Sequence, residues 1–488
     1  MEMRDKADIM KKTEDKSKEN NKFRLYKRRW IVLAVFSLIS MTNEVIWISL
    51  SSITSIVKAY YNVSYVAVNM LSMIYMIFYV FVIVSAYLLD KQGLKFTIVI
   101  GGALNGIGSC LRLIGASRDG FVYAFLGNAS AALAQCFILF VPPTLAAVWF
   151  GEKERATASA IGVLMNMLGV AVGFLMGGTM VPSSENYDDG MFNTLMAQAV
   201  FCTFLVILSV ILIRNAPSSP PSMSQLLILE SKHAAAKKTN KNRVGTKAVG
   251  DADKQVAAAG ESSKASTDSN VKTAGFLQNL KSLSKDKAFH LVTQSYGLYF
   301  GLFAAYNTVL NQMCMVNYPG KEKEIGLMGF TSVLLGLVGI LLAGIWIDRT
   351  SRYKSISIGT FTCCSVALLI FTLLLQYGGN FTLVFVSFCI FGFFSYPYMT
   401  VGLEHAAEVT YPIPEGITSG ILLLLGNIYG IILTFILGAI IEKGRADVAG
   451  YVMVVIYTLG LVVVICIKGE LKRLKTDRLK LNEKLAFT

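Results

Sequence analysis

Glu44 and Trp47 lie three residues apart in the middle of one long apolar run, and Glu404 and Glu408 lie four apart in another. At those spacings the two side chains of each pair share one face of a helix. Ionisable groups inside apolar spans cost free energy, so they mark positions kept for a function. Amides accompany them at positions buried by sequence depth: Asn43, Gln135, Asn166, Asn307, Asn311, Gln312 and Asn427. Aromatic rings recur in the same runs at Trp47, Tyr299, Tyr306, Tyr396, Tyr398 and Tyr429, each of which, taken singly, also reads as plain packing. Cations are scarce there; Arg112 sits near the end of its run and reads as a side chain snorkelling to the interface. Carboxylates, amides and aromatic faces without Lys or Arg suit a small organic cation, because ring quadrupoles hold a quaternary ammonium.

The elements that must position these residues are long apolar segments. The 488 residues are 54% hydrophobic and 16% charged, with mean hydropathy +0.55, where a soluble chain carries nearer a quarter charged residues. Twelve runs of membrane-spanning length fall at 30–57, 66–89, 96–115, 121–149, 156–181, 191–214, 288–316, 325–347, 355–377, 381–408, 416–441 and 449–468. Helix is the expected state, since backbone groups in lipid must bond within their own segment and the runs lack barrel alternation. The fold class is therefore an all-α membrane protein of twelve transmembrane helices in two six-helix halves. The expected division is a disordered tail at 1–24, a first half at 25–214, a linker at 215–286, a second half at 287–470 and a tail at 471–488. The linker opens on Ala216-Pro-Ser-Ser-Pro-Pro and becomes a Lys, Ala and Ser tether, with a short amphipathic helix expected over 275–286. Glu408 lies just before Tyr411-Pro-Ile-Pro, at the end of its span, and reads as a gate or latch; Glu404 is one turn deeper.

A net charge of +14 raises nucleic acid as a partner, but its distribution argues against that. Residues 1–29 hold eleven Lys or Arg and 468–484 hold seven, whereas the turn at 183–190 has none. This asymmetry places both termini and the linker in the cytosol, with the basic tails against anionic headgroups of the lipid bilayer. With 29 largely polar residues before it, the first span is expected to act as its own targeting signal, and the plasma membrane is the expected location. The eight cysteines lie in or at the ends of spans without CxxC spacing, so neither disulfides, nor a metal, nor any other cofactor is expected. Asn62-Val-Ser64 and Asn380-Phe-Thr382 are glycosylation sequons in expected outer turns.

One loop is written twice. Ala86-Tyr-Leu-Leu-Asp90-Lys91-Gln-Gly93-Leu-Lys95 follows the second run, and Gly344-Ile-Trp-Ile-Asp348-Arg349-Thr-Ser-Arg352-Tyr-Lys354 follows the eighth. A repeat at matching places in two halves is a mark of secondary transporters. The pattern resembles the helix 2–3 loop of the major facilitator superfamily, and such loops latch helix ends through a carboxylate, a cation and a helix N-terminus. Further residues resemble the FLVCR family, the feline leukaemia virus subgroup C receptor-related transporters. They are Tyr26-Lys-Arg-Arg-Trp30, Asn43 to Trp47, Trp149-Phe-Gly-x-Lys-Glu, Leu168-Gly-Val-Ala-Val-Gly-Phe174, Leu310-Asn-Gln-Met313 and Gly402-Leu-Glu404-His-Ala-Ala-Glu408-Val-Thr-Tyr-Pro412 with Glu415-Gly416. The stretch 133–147 is equally similar to a less characterised branch of the same solute carriers.

That resemblance implies the major facilitator fold and transport of choline and ethanolamine, with haem as an older assignment. It implies that Trp47 faces the choline ammonium. It also marks departures: Asn427 stands for a Gln, Met167 after Asn166 replaces a Gln, and Ala304 falls where a cation-π Tyr is expected, with Tyr306 two positions on. The expected function is a facilitative transporter, a monomer, in which Trp47 stacks the ammonium and Asn166, Asn311, Gln312 or Asn427 bonds a hydroxyl. Asn43 and Tyr306 complete the expected site, and the loops of Asp90, Lys91, Gly93, Asp348, Arg349 and Arg352, with Glu404 and Glu408, form the latches. A haem transporter is the alternative, set against only three His, at 233, 290 and 405. A proton-coupled carrier is another, since Glu44 and Glu404 could titrate. A non-transporting receptor is disfavoured by intact latch motifs in both halves, and an enzyme by the lack of any nucleophile–base set, nucleotide loop or metal spacing.

Overall fold

The computed structural model describes residues 25–181, 187–221, 225, 279–469 and 471–476. The expected tail at 1–24, most of the tether and residues 477–488 lie outside them, as does part of the short helix expected over 275–286, of which 279–283 are helical. Among the described residues the chain is helical, with no strand. Eleven helices are long and apolar enough to cross a membrane: Arg28–Tyr61, Tyr65–Leu89, Leu94–Ile114, Phe121–Ile138, Arg155–Met180, Tyr187–Leu212, Glu322–Thr350, Tyr353–Gln376, Phe381–Thr410, Glu415–Glu442 and Ala446–Cys466. The seventh of twelve in chain order, Lys287–Met315, has 29 residues, about 43 Å at the rise of an α-helix. Its Asn, Gln, Thr and Tyr content makes it less apolar for a physical reason. Every residue from Gly301 to Cys314 is buried against protein, so lipid does not select its composition. The twelve are called spans 1 to 12 below.

Four spans are broken. Span 1 runs as Arg28–Ser49, a 3-10 turn at Ser51–Ile53, and Thr54–Tyr61. Ser and Thr take up the carbonyls that the break frees: Ser52 Oγ donates to Ser49 O at 2.9 Å and Thr54 Oγ1 to Ser51 O at 2.7 Å. Span 2 runs as Tyr65–Phe78, a 3-10 turn at Tyr79–Phe81, and Val82–Gln92. Span 4 continues after Ile138 as Val141–Trp149, interrupted beside Pro142 and Pro143, which bring no N–H to the ladder. Span 10 is divided at Tyr396-Pro397 into Phe381–Ser395 and Tyr398–Thr410 for the same reason.

Both described chain ends lie on one face of the bundle, the terminal face, because twelve crossings return the chain to where it started. Spans 1–6 and 7–12 meet mainly through span 5 on 8, span 2 on 11 and span 1 on 7. These meetings gather toward the far face. Residues 42–54 of span 1 are all buried, whereas Trp30, Ile31 and Ala34, nearer the terminal face, are exposed. Span 7 shows the same gradient, with Gln294 exposed and the stretch beyond Gly301 enclosed. Where spans 5 and 8 cross, a Cβ on Gly326 would stand 2.7 Å from Phe174 O and 2.9 Å from Gly178 Cα. Only paired glycines let the helices approach this closely.

Arg112 corrects the snorkel reading. It is fully buried, and its guanidinium donates to Ile46 O at 3.0 Å and Ser49 Oγ at 3.1 Å. It holds the C-terminal end of the first piece of span 1, where unpaired carbonyls carry the negative end of the helix dipole.

Candidate substrate site and gates

Span 1 presents Glu44 and Trp47 on one helical face near the middle of its length. Glu44 Oε1 accepts from Gln135 Nε2 of span 4 and Asn166 Nδ2 of span 5, each at 3.0 Å. Asn166 Nδ2 also donates to Ser40 Oγ at 3.1 Å, which ties span 5 to span 1 twice. No Lys, Arg or His forms an ion pair with Glu44 among the described residues. The Trp47 ring lies 6.3 Å from that of Tyr75 in span 2, at 47°. The Trp47 indole N–H and the hydroxyls of Tyr75 and, from span 10, Tyr396 are buried without a hydrogen-bond partner. Both hydroxyls lie within range of the Glu44 charge. The arrangement is thus one carboxylate amid orphaned donors, on the boundary between the two halves.

Other expected site residues sit elsewhere. Asn43 is fully buried within the first half, where Nδ2 donates to Asn105 Oδ1 and to Ala131 O, both at 2.8 Å. Tyr306 is enclosed within the second half by Phe303, Phe388 and Phe391, with ring centroids 5.5, 6.0 and 5.0 Å away. Asn427 donates to the Leu423 carbonyl of its own span at 2.8 Å. Asn311 and Gln312 lie at the far-face closure. Asn311 Oδ1 accepts from Ser55 N at 3.1 Å and Ser55 Oγ at 3.0 Å, and Gln312 Nε2 donates to Asn69 Oδ1. Asn311 Nδ2 and Gln312 Oε1 are left buried and unpartnered. Sequence reasoning missed Ser55, Asn69 and Tyr75. For Asn69 a signal existed, an amide within the apolar stretch Val68 to Met76.

Relatives align with nearly all of these elements. The profile of the Major Facilitator Superfamily matches residues 32–313. The choline/ethanolamine transporter flvcr2b of Danio rerio is 34% identical over 92% of this chain and 86% of its own. The choline/ethanolamine transporter FLVCR2 of Homo sapiens is 33% identical over 94% of this chain and 81% of its own. The chain belongs to the FLVCR family of the major facilitator superfamily. Among solved structures, an inward-facing, occupied bacterial homologue of the human lysosomal transporter Spinster superposes with a TM-score of 0.67 at 11% identity, over 91% of this chain and 97% of that one. A D-xylose–proton symporter superposes at 0.60 and 12%, over 90% and 96%. These two likenesses establish the fold.

In this FLVCR-family chain both repeated loops begin on a residue with positive φ, though with different ψ. Gly93 closes the helix Val82–Gln92 with φ +88°, its N–H donating to Leu89 O at 3.0 Å. Ser351, at the equivalent place after Glu322–Thr350, has φ +52° and donates to Ile347 O at 2.7 Å. Only glycine adopts positive φ without strain, so the second copy keeps the turn at a cost. Asp90 lies in the last turn of its helix, and the Lys91 ammonium lies 5.7 Å from the Tyr87 ring. Asp348, Arg349 and Arg352 are exposed and form no ion pair among the described residues.

Other contacts brace the terminal face. Arg29 pairs with Glu154 at 3.0 Å, and Trp30 packs edge-on against Phe150 at 5.0 Å, so the Trp149-Phe-Gly-x-Lys-Glu stretch anchors the start of span 1. In the second half Glu404 is exposed, whereas Glu408 Oε2 accepts from Leu474 N at 3.2 Å. Lys472 pairs with Asp286 at 2.8 Å and Arg473 with Glu415 at 2.6 Å. Residues 471–476 therefore strap together the ends of spans 7, 10 and 11. His405 is buried and stacks on Tyr353 at 5.8 Å and 16°.

Proposed function

We propose that this protein is a facilitative carrier of small amino-alcohol cations, choline or ethanolamine, working by alternating access. The observation that carries the reading is the Glu44–Trp47 face: an unpaired carboxylate and an indole, near the middle of span 1, on the seam between the halves. A cation placed there balances the buried charge and meets ring faces that attract it. The orphaned Tyr75 and Tyr396 hydroxyls and the Trp47 N–H supply donors for the alcohol oxygen of the same molecule. The relatives named as choline/ethanolamine transporters are consistent with that chemistry.

With the termini in the cytosol, as the basic ends of the chain favour, this conformation is closed outward and open inward. Ser55–Asn311, Asn69–Gln312 and the Gly178–Gly326 crossing form the outer gate. Opening it releases the buried amides of Asn311 and Gln312, which then reach a substrate entering from outside. The loops of Asp90 and Asp348 are expected to latch when the terminal face closes, with Glu404 beside the second loop. Glu408 is already held by the C-terminal strap.

The test is uptake of radiolabelled choline and ethanolamine in cells expressing the chain, with Trp47→Ala matched for surface level. Loss of saturable uptake in the variant is expected. Uptake equal to wild type would remove Trp47 from the site.

A further inference from the structure

Glu44 is a buried carboxyl on the seam that forms no ion pair with a protein cation among the described residues. It is 3% exposed. Its Oε1 is saturated by two neutral amides, Gln135 and Asn166, drawn from two other spans. Oε2 receives no hydrogen bond among the described residues. The carboxylate is thus oriented by its neighbours through one oxygen and offered through the other. The other buried charge of this half, Arg112, is not its partner, since those N–H groups go to Ile46 O and Ser49 Oγ.

Ring faces are less abundant than the sequence suggests. Trp47 and Tyr75 tilt toward each other across 6.3 Å. Tyr306 is enclosed by Phe303, Phe388 and Phe391 and presents no open face to the seam. An aromatic cage selects a quaternary ammonium, which has no N–H to donate and is bound by ring faces. A carboxylate with an open oxygen instead favours a cation that can donate, because a charge-assisted hydrogen bond is stronger and shorter than contact with methyl groups.

We infer that Glu44 is the specificity-determining counter-ion of the site, bonding the substrate N–H through Oε2, and that the protein prefers primary alkanolammonium ions to quaternary ones. This rests on the transport reading above and narrows its substrate class. Each methyl added to the nitrogen removes a donor and adds bulk against Oε2. The aromatic pair then holds the carbon chain, and the Tyr75 and Tyr396 hydroxyls donate to the alcohol oxygen.

The experiment is inhibition of radiolabelled ethanolamine uptake by ethanolamine, N-methylethanolamine, N,N-dimethylethanolamine and choline, for wild type and Glu44→Gln at matched surface level. Gln keeps the side-chain volume and an oxygen for the Gln135 and Asn166 amides while removing the charge. For wild type the half-inhibitory concentration is expected to rise with each methyl, by about tenfold or more between the two ends of the series. In Glu44→Gln the ethanolamine KM is expected to rise about tenfold, with choline affected less, so that the preference collapses. A flat or reversed series in wild type overturns this inference while leaving the transport reading intact, and needs no variant to fold. A Glu44→Gln protein that keeps the wild-type ratio overturns it as well. Wild type that takes up neither amine overturns both.

Discussion

Replacing Gly326 by alanine puts a methyl group where the two halves touch. The new Cβ would stand 2.7 Å from Phe174 O, 2.9 Å from Gly178 Cα and 3.3 Å from Gly178 N. All three are backbone atoms of span 5, so no side chain can rotate away. Span 8 must withdraw by a few tenths of an ångström along the crossing. Overpacking of this kind costs about 1–3 kcal/mol, and the cost falls only on the far-face-closed conformation, because the clashing atoms belong to the opposite half. Helix propensity favours alanine over glycine by about 1 kcal/mol in either conformation, so the fold itself is not weakened. The closed-to-open ratio should therefore fall about 5- to 150-fold. Pulsed EPR between spin labels at Asn62 and Lys323, both exposed near the far face on opposite halves, reads this directly. The exposed thiols Cys110 and Cys466 would first be changed to serine. A second, longer distance population in Gly326→Ala is expected. An unchanged single distance would show that this crossing does not set the gate.

Two further outcomes follow from the loops and the strap. Ser351→Gly should raise the apparent melting temperature by about 1 °C, since it relieves a left-handed non-glycine residue worth about 1 kcal/mol. Gly93→Ala should lower it, because φ is +88° and the added Cβ meets Asn215 Oδ1 at 3.0 Å; a flat response to both changes would contradict the turn geometry. Burial raises the Asp286 carboxyl, but the Lys472 hydrogen bond and the Phe289 and Ala288 amides more than offset this, so its pKa lies below the usual 3.8. Its stabilisation is therefore present above that value and is lost as pH falls through the lowered one. Asp286→Ala should destabilise by about 1 kcal/mol at pH 7, the worth of a helix cap. The difference between variant and wild type in thermal unfolding should vanish at a pH below the lowered value; a difference that persists there would assign the loss to something other than the carboxylate.

The twelve spans were legible because membrane crossing imposes length and apolarity on each segment independently of its neighbours. The repeated loops were legible because their Asp and cation recur at matching places, and Ser351 keeps a positive φ at the position of Gly93 even where the side chain has changed. Pairings between distant segments were not. Sequence depth identifies Asn43 as buried but not that it bonds Asn105 and Ala131 rather than a substrate. Nothing local tells that Asn311 and Gln312 meet Ser55 and Asn69 across the seam. Arg112 misled for a related reason: its distance from the span end suggested snorkelling, but it points inward, at the break in span 1. Tyr306 follows the same lesson, since helical position does not reveal that rings on span 10 enclose it.

The most direct test of the account is flux of radiolabelled ethanolamine and choline by the purified full chain in proteoliposomes. The account predicts saturable, substrate-dependent counterflow without an imposed ion gradient, lost in Trp47→Ala. Sealed, protein-containing vesicles with no flux of either amine above protein-free vesicles would contradict it.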